Sequence, residues 1–228
     1  MAEWLTPQFW VAVSEIFLVN MLLSGDNAVV IALACRNLSP RARRQGIFWG
    51  VVGAIVLRAV LTLFAMSLLV YPYLKLVGAA LLVWIGIRLI AQEDGADRQV
   101  KASDRLLPAI WTIIVADLVM SLDNVMAVAA AAKGHVGLMV FGLIVSIPIV
   151  VVGAQIIMRL TGRYPILVIG GGGLLGYIAG DMAVEDPIVQ PWLAANAAGV
   201  AAIIPLIGLV VVVAAGLWLT RQRARTAR

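Results

Sequence analysis

Two short stretches of the chain place carboxylate, amide and hydroxyl side chains within otherwise apolar sequence. The polar residues stand at the same relative positions in both: Asn20, Ser24, Asp26 and Asn27 in the first, and Asp117, Ser121, Asp123 and Asn124 in the second. Hard divalent cations such as Mg²⁺, Ca²⁺ and Mn²⁺ prefer oxygen ligands of these kinds. The single cysteine, Cys35, and the single histidine, His135, argue against a thiolate cluster and an imidazole-based site. The two stretches therefore predict a binding site for a divalent cation.

The spacing within each stretch defines the faces that the polar side chains occupy on a helix. The first, second and fourth residues of each set stand at i, i+4 and i+7 and share one face. Asp26 and Asp123 lie one residue off that face, about 100° around the helix. Glu15 precedes Asp26 by eleven residues, so it lies on the same side but about 16 Å further along the axis. A local break at Gly25 would bring carboxylate, amide and freed carbonyl oxygens onto one ligand, although Leu122 at the equivalent position does not favour a break.

Both aspartates are expected near the middle of the membrane. Asp26 precedes Arg36 by ten residues, and Asp123 precedes Lys133 by ten residues. At about 1.5 Å per residue, each aspartate is about 15 Å from the nearest boundary. That is half of the hydrocarbon thickness of about 30 Å. Transporters built from internal repeats place their binding sites at this depth.

The elements that must position these residues are membrane-spanning helices. Of the 228 residues, 63% are hydrophobic and 13% are charged, with a mean hydropathy of +1.03, whereas soluble domains are about 45–50% apolar and about 25% charged. The apolar runs lack the alternation of transmembrane strands, so helices must satisfy the backbone in lipid. No P-loop, nucleotide fingerprint or nucleophile–base arrangement is present. We predict an all-α polytopic membrane protein in contact with the lipid bilayer, with no enzymatic activity and no bound cofactor.

Seven apolar runs are long enough to cross the bilayer, and together they form a single transmembrane domain over residues 1–228. The predicted spans are residues 9–35, 46–69, 73–91, 107–132, 137–159, 164–182 and 197–219. A basic tail, residues 220–228, follows the last span.

The distribution of basic residues predicts the orientation of these spans. Of the 17 Lys and Arg residues, 14 fall in or beside the loops after spans 1, 3 and 5 and in the tail. Because Lys/Arg-rich loops are cytoplasmic, the N-terminus is expected outside and the C-terminus inside, in the bacterial cytoplasmic membrane. The same distribution accounts for the net charge of +5, so nucleic acid is not an expected partner.

Spans 1–3 and spans 4–6 resemble each other and form two repeats, residues 9–91 and 107–182. Besides the polar stretches in their first helices, their third helices align without gaps: YPYLKLVGAALLVWIGIRL from Tyr71 matches YPILVIGGGGLLGYIAGDM from Tyr164. Since each repeat contains three spans, the second must enter the membrane from the opposite side. Such inverted repeats are the architecture of many secondary transporters. Span 7, residues 197–219, is an additional helix.

A structural explanation of the polar stretches is hydrogen bonding that holds spans 1 and 4 together. Asn and Ser alone fit that explanation, but paired carboxylates repel each other unless they are protonated or bridged by a cation. Arg58 is a cation in span 2, and the corresponding region of the second repeat, Ile147-Pro148, is uncharged. We interpret Arg58 as the partner of one buried aspartate in a structural ion pair.

The chain resembles the tellurium-resistance TerC family of integral membrane proteins, particularly its short bacterial, manganese-associated branch, at two motifs: S-G-D-N-A-V-V from Ser24 and S-L-D-N-V from Ser121. The resemblance covers about residues 9–219. It implies about seven helices and export of Mn²⁺ from the cytoplasm. It also implies that the metal is held by Asp26, Asn27, Asp123 and Asn124, with Glu15 and Asp117 as acidic companions.

Together, the residues and the resemblance predict a secondary transporter that exports a divalent metal, Mn²⁺ foremost, with protons as a candidate coupling ion. A partly dehydrated ion would bind between the two Asp-Asn pairs while the repeats alternate access. Calcium, another cation and an organic solute such as a cationic amino acid are alternative substrates. A non-transporting membrane partner that scaffolds a metal-stress complex is an alternative of another class. The oligomeric state is left open.

Overall fold

A computed structural model describes residues 25–68, 71–92, 102–131 and 136–226, and all regular structure within these ranges is helical. Side chains are described throughout these ranges except at 62–68, 102–104, 123–131, 136–146, 198, 224 and 226. The helices form because long apolar runs in lipid must satisfy every backbone N–H and C=O within the segment itself.

The helices of the described ranges follow the predicted spans closely. Those that correspond to spans 1–6 are α1 (Gly25–Cys35), α2 (Pro40–Leu68), α3 (Leu74–Ile90), α4 (Ala102–Ala131), α5 (Val136–Arg163) and α6 (Ile166–Val184). Two short helices, α7 (Val189–Asn196) and α8 (Ala198–Ala201), precede α9 (Ile204–Thr226), which corresponds to span 7. The count of seven spans stays a prediction, because α1 is described only from Gly25.

The surface of the bundle is that of a membrane protein. Four helical segments of the described ranges are long and apolar enough to cross a membrane: Pro40–Leu61, Arg105–Leu122, Ile166–Val184 and Gly199–Arg223. Large apolar side chains project outward, and four that are more than half exposed are Val56, Trp111, Ile156 and Val210. Because a continuous apolar surface is unfavourable in water, these side chains indicate contact with lipid and agree with a polytopic membrane protein.

The helices pack in two groups that determine where the polar residues lie. In the first group α2 runs beside α4, α1 runs beside α5, and α1 also contacts α4. In the second group α3 and α6 pack against each other, and α9 packs against both. When α1, α2 and α3 are exchanged with α4, α5 and α6, the pair α2–α4 becomes the pair α5–α1 and the reverse, while the pairs α1–α4 and α3–α6 stay the same. An inverted repeat requires this pattern. The two repeats stay a prediction.

Basic side chains at one end of the bundle bind the carbonyl groups that follow two helices. Arg223 Nη1 donates to Ala91 O at 2.9 Å, and Arg36 donates to the carbonyl of Gln92, both just beyond α3. Arg43 Nη2 donates to Arg36 O at 3.1 Å, just beyond α1. Cations at these positions complement the negative ends of the helix dipoles. The basic loop after α1 and the basic end of α9 therefore share one end of the bundle, while the side of the membrane that it faces stays a prediction.

Asp186 organises the opposite end of the bundle. Its side chain is fully buried and accepts the N–H of Tyr73 on Oδ1 at 3.4 Å and the N–H of Leu76 on Oδ2 at 3.3 Å. A carboxylate at this place satisfies N–H groups of the first turn of α3 and complements its dipole. Beside it, Lys75 Nζ and Glu185 Oε2 form an exposed ion pair at 2.8 Å. The segment after α6 is thus tied to the start of α3.

We expect Gly176→Ala to weaken the contact between α6 and α9. A methyl group at this position would collide with the backbone of Gly208, and close contacts through small residues stabilise membrane helix pairs. The overlap should lower the free energy of unfolding by about 1–3 kcal/mol, measured by thermal unfolding in detergent. Gly170→Ala on the same helix is the control, because nothing lies within 4 Å of the added methyl group. Equal melting temperatures for the two variants would contradict this packing.

Candidate cation site

A buried ion pair joins α2 to α4 inside the bundle. The guanidinium of Arg58 donates from Nη2 to Asp117 Oδ1 at 2.6 Å and from Nε to Ser121 Oγ at 2.8 Å. The Ser121 hydroxyl in turn donates to Asp117 Oδ2 at 3.1 Å. Both oxygens of the Asp117 carboxylate are therefore engaged in charge-assisted hydrogen bonds. The predicted ion pair between Arg58 and a buried aspartate is confirmed, with Asp117 as the partner.

The positions of these residues along their helices account for the geometry. Asp117 and Ser121 are four residues apart on α4 and therefore face the same way, as their spacing predicts. Gly50 and Gly53 let α2 approach α4 closely, because a methyl group at either position would overlap side chains of α4. Arg58 lies further along α2 than these glycines. Because the two helices are close, its long side chain reaches Asp117 and Ser121 of α4.

The three side chains are shielded from their surroundings. The exposed fraction is 7% for Arg58, 8% for Asp117 and 0% for Ser121. A single charge inside a membrane bundle is strongly unfavourable, and removing one partner of a buried pair leaves the other uncompensated. Substituting either Arg58 or Asp117 alone would therefore leave a buried charge without its partner.

A cavity of about 40 Å³ lies next to the ion pair, between α1, α2, α4 and α5. Its polar lining consists of Asn27 from α1, Arg58 from α2 and Asp117 from α4, and the remaining lining is aliphatic. The cavity thus presents one amide, one guanidinium and one carboxylate, drawn from both predicted repeats. About 10–15 Å³ of cavity volume holds one water molecule, so the cavity has room for about three, and a cation can enter it only after losing part of its hydration shell.

Asp26 lies in the first turn of α1, partly buried, beside the residues that line the cavity. It is close enough to Arg58 for the two charges to interact. Residues 25–27 are helical, and α4 is continuous from Ala102 to Ala131. Gly25 is the first residue that the structure describes, so the break proposed there stays a prediction, whereas α4 has no break at the equivalent position, Leu122. A continuous helix keeps its carbonyl oxygens in backbone hydrogen bonds, so α4 offers only side-chain oxygens to a ligand.

The predicted ligands fall into three groups. Three of them stand before the first described residue: Glu15, Asn20 and Ser24. Two have a described backbone in α4 but no described side chain: Asp123 and Asn124. The structure brings the other four to one region: Asp26, Asn27, Asp117 and Ser121. In the described part of the chain, no group of three or more His, Cys, Asp or Glu side chains is placed to hold a metal ion, and the ligand roles stay predictions.

Sequence reasoning misses the aliphatic walls of the cavity. Ala54 of α2 and Val150 of α5 both line it. Nothing in their residue types distinguishes them, because 63% of the chain is hydrophobic. The charge of Arg58 allows the sequence to identify α2 as a wall of the cavity. The residues of α5 that line the cavity are uncharged, so the sequence does not identify α5 in this way.

Residues 5–224 match the family model described as "Integral membrane protein TerC family". Over 200 residues the chain is 38% identical to the uncharacterized membrane protein YjbE of Bacillus subtilis (strain 168), covering 88% of this chain and 91% of YjbE. Over 186 residues it is 27% identical to the uncharacterized membrane protein YceF of the same organism, covering 78% and 72%. Over 183 residues it is 24% identical to the UPF0053 inner membrane protein YgdQ of Escherichia coli (strain K12), covering 71% and 76%. No solved structure matches the chain.

Proposed function

Since the chain belongs to the TerC family of integral membrane proteins, we propose that it is a secondary transporter that exports a divalent metal cation, Mn²⁺ foremost, from the cytoplasm. The observation that carries the proposal is the cavity inside the bundle, which is lined by the buried carboxylate of Asp117 and the amide of Asn27. Ionisable residues within a membrane bundle mark ion pathways, and carboxylate and amide oxygens suit a hard divalent cation.

The transported cation binds between the Asp26-Asn27 pair of α1 and the Asp123-Asn124 pair of α4 in this proposal. The two pairs stand at equivalent positions of the predicted repeats. Two aspartates carry the charge that one divalent ion compensates, and the amides supply neutral oxygen ligands. The same oxygen chemistry admits Mg²⁺ and Ca²⁺, so the preference for Mn²⁺ is a separate part of the proposal.

Export also requires that the site open to each side of the membrane in turn. The proposed repeats, residues 9–91 and 107–182, exchange inward and outward access, with protons as the candidate coupling ion. The packing of α2 against α4 and of α5 against α1 supports this, because the two pairs are equivalent under the repeat. In the proposed topology the basic end of the bundle is cytoplasmic and the chain lies in the bacterial cytoplasmic membrane. The protein acts as a carrier and not as an enzyme.

Growth and metal content at high external Mn²⁺ test the proposal in cells that lack their own Mn²⁺ exporter. We expect the intact chain to lower intracellular Mn²⁺ and to restore growth. The Asp26→Ala/Asp123→Ala double variant should lose both effects, because it removes the charge that compensates the cation. The expected change in the tolerated Mn²⁺ concentration is about tenfold or more.

Glu185→Gln is the matched control, since Glu185 pairs with Lys75 at the exposed end of the bundle. All proteins are compared at equal amounts in the membrane. Equal protection by the double variant and the intact chain would show that the site is misplaced. If the intact chain leaves intracellular Mn²⁺ unchanged, manganese export is rejected, and competition by Ca²⁺ or lysine then identifies the alternative substrates.

A further inference from the structure

The Arg58–Asp117 ion pair forms part of the cavity wall. Both residues line the cavity, and Arg58 also interacts electrostatically with Asp26. A cation in the cavity is therefore repelled by the guanidinium, which at the same time neutralises one of the carboxylates that would attract the cation. Inside a protein these effects are larger than in water, because the effective dielectric constant is lower.

The charges of this pair are among those that the predicted repeats do not share. Asp117 stands where the first repeat has Asn20, and the second repeat has no charge in the region that corresponds to Arg58. Asp117, an acid at a position where the first repeat has none, is thus paired with Arg58, a base at a position where the second repeat has none. Their charges cancel, so neither adds to the charges of the two equivalent Asp-Asn pairs.

We propose that Arg58 sets the charge of the cation site and, through it, the affinity and the release rate of the transported ion. The inference rests on the proposed function and deepens it. By holding Asp117 in a neutral pair, Arg58 keeps that carboxylate from adding to the charge of Asp26 and Asp123, which together match one divalent cation. Without Arg58 a third carboxylate attracts the ion, which binds more tightly and leaves more slowly. Without Asp117 the guanidinium is uncompensated and repels the ion.

Initial rates of Mn²⁺ uptake into inverted membrane vesicles, measured over a range of Mn²⁺ concentrations, test the inference. Arg58→Gln should lower KM by about tenfold and the maximal rate by about tenfold. Each change corresponds to about 1.4 kcal/mol, the first in the affinity for the ion and the second in the barrier to its release. Asp117→Asn should raise KM by about tenfold. The Arg58→Gln/Asp117→Asn double variant should return KM to within about threefold of the intact value, because the two substitutions cancel in charge and are strongly coupled.

A merely structural role for the pair predicts a different result. Each single variant would then lower the amount of folded protein, while the KM of the remaining protein stayed unchanged, and that outcome would overturn the inference. A double variant that keeps the high KM of Asp117→Asn would also overturn it, because Asp117 would then be a direct ligand of the metal. If Arg58→Gln does not accumulate, the comparison of Asp117→Asn with the double variant gives the same decision. Arg58→Lys, which keeps the charge, should shift KM much less than Arg58→Gln.

Failure of the proposed function gives a separate result, in which vesicles with the intact protein take up no Mn²⁺. The control for neutralising an ion pair is Lys75→Gln/Glu185→Gln, which removes the exposed pair at the end of the bundle. This variant is expected to keep both KM and the maximal rate of the intact protein, because the pair lies at the end of the bundle, outside the cavity lining, with Glu185 half exposed.

Discussion

Arg58→Met is expected to lower the free energy of unfolding by about 3–5 kcal/mol. The methionine side chain occupies much of the space of the arginine but has no donor groups, so Asp117 and Ser121 lose the bonds at 2.6 Å and 2.8 Å. The remaining carboxylate, which is only 8% exposed, must then stay charged in apolar surroundings or take up a proton, and both are unfavourable. Unfolding in detergent, followed by circular dichroism, measures the loss.

Removing Asp117 at the same time should restore most of the stability. In Arg58→Met/Asp117→Leu, apolar side chains replace the ion pair, a change that is often neutral or stabilising for a buried pair. Ser121 can then donate to a backbone carbonyl of its own helix one turn earlier. Val56→Met is the control for the new side chain, since Val56 lies on the same helix and is 59% exposed. If Arg58→Met alone unfolds at the temperature of the intact protein, the buried pair does not contribute to the fold as described.

The positions of the helices can be predicted from this sequence because each membrane span is a long apolar run whose hydropathy differs from that of the loops beside it. The predicted span 73–91 and the helix Leu74–Ile90 differ by one residue at each end. At the start of the last span the helix is interrupted, because α8 covers Ala198–Ala201 and α9 begins at Ile204. The short helix α8 lies within the same apolar run, so hydropathy does not register the break between them. Pro205 suits the first turn of α9, because a proline there gives up no intrahelical hydrogen bond.

Within the candidate site, spacing predicts neighbours on one helix but not partners on different helices. The i, i+4 spacing of Asp117 and Ser121 correctly predicts a shared face, which their hydrogen bond demonstrates. The choice of Asp117 as the partner of Arg58 depends on how α2 and α4 are rotated and how closely they approach. That approach is set by glycines such as Gly53, whose effect appears only when the facing side chains are known. The partner of a buried charge therefore follows from tertiary packing and not from the pattern along one segment.

Filling the cavity is expected to stop transport while leaving the bundle folded. Ala54 lines the cavity and is 7% exposed, and Ala54→Leu adds three carbon atoms to a space of about 40 Å³. These atoms occupy open space, so the loss of stability should stay within the range of about 1–3 kcal/mol for an overpacked core. The cation, in contrast, loses the space that it needs beside Asn27 and Asp117. The maximal rate of Mn²⁺ uptake into inverted vesicles should fall by about 100-fold, equivalent to about 2.7 kcal/mol in the barrier.

Ala80→Leu makes the same chemical change at an exposed position of α3 and should transport at the rate of the intact protein. The pair of variants separates loss of the cavity from the general effect of a larger side chain, provided that both melt close to the intact protein. If Ala54→Leu transports normally, the ion does not pass through the space beside Arg58 and Asp117. The ion-binding residues would then be Asp123, Asn124 and the polar residues that precede α1, and the Arg58–Asp117 pair would serve only to join α2 to α4.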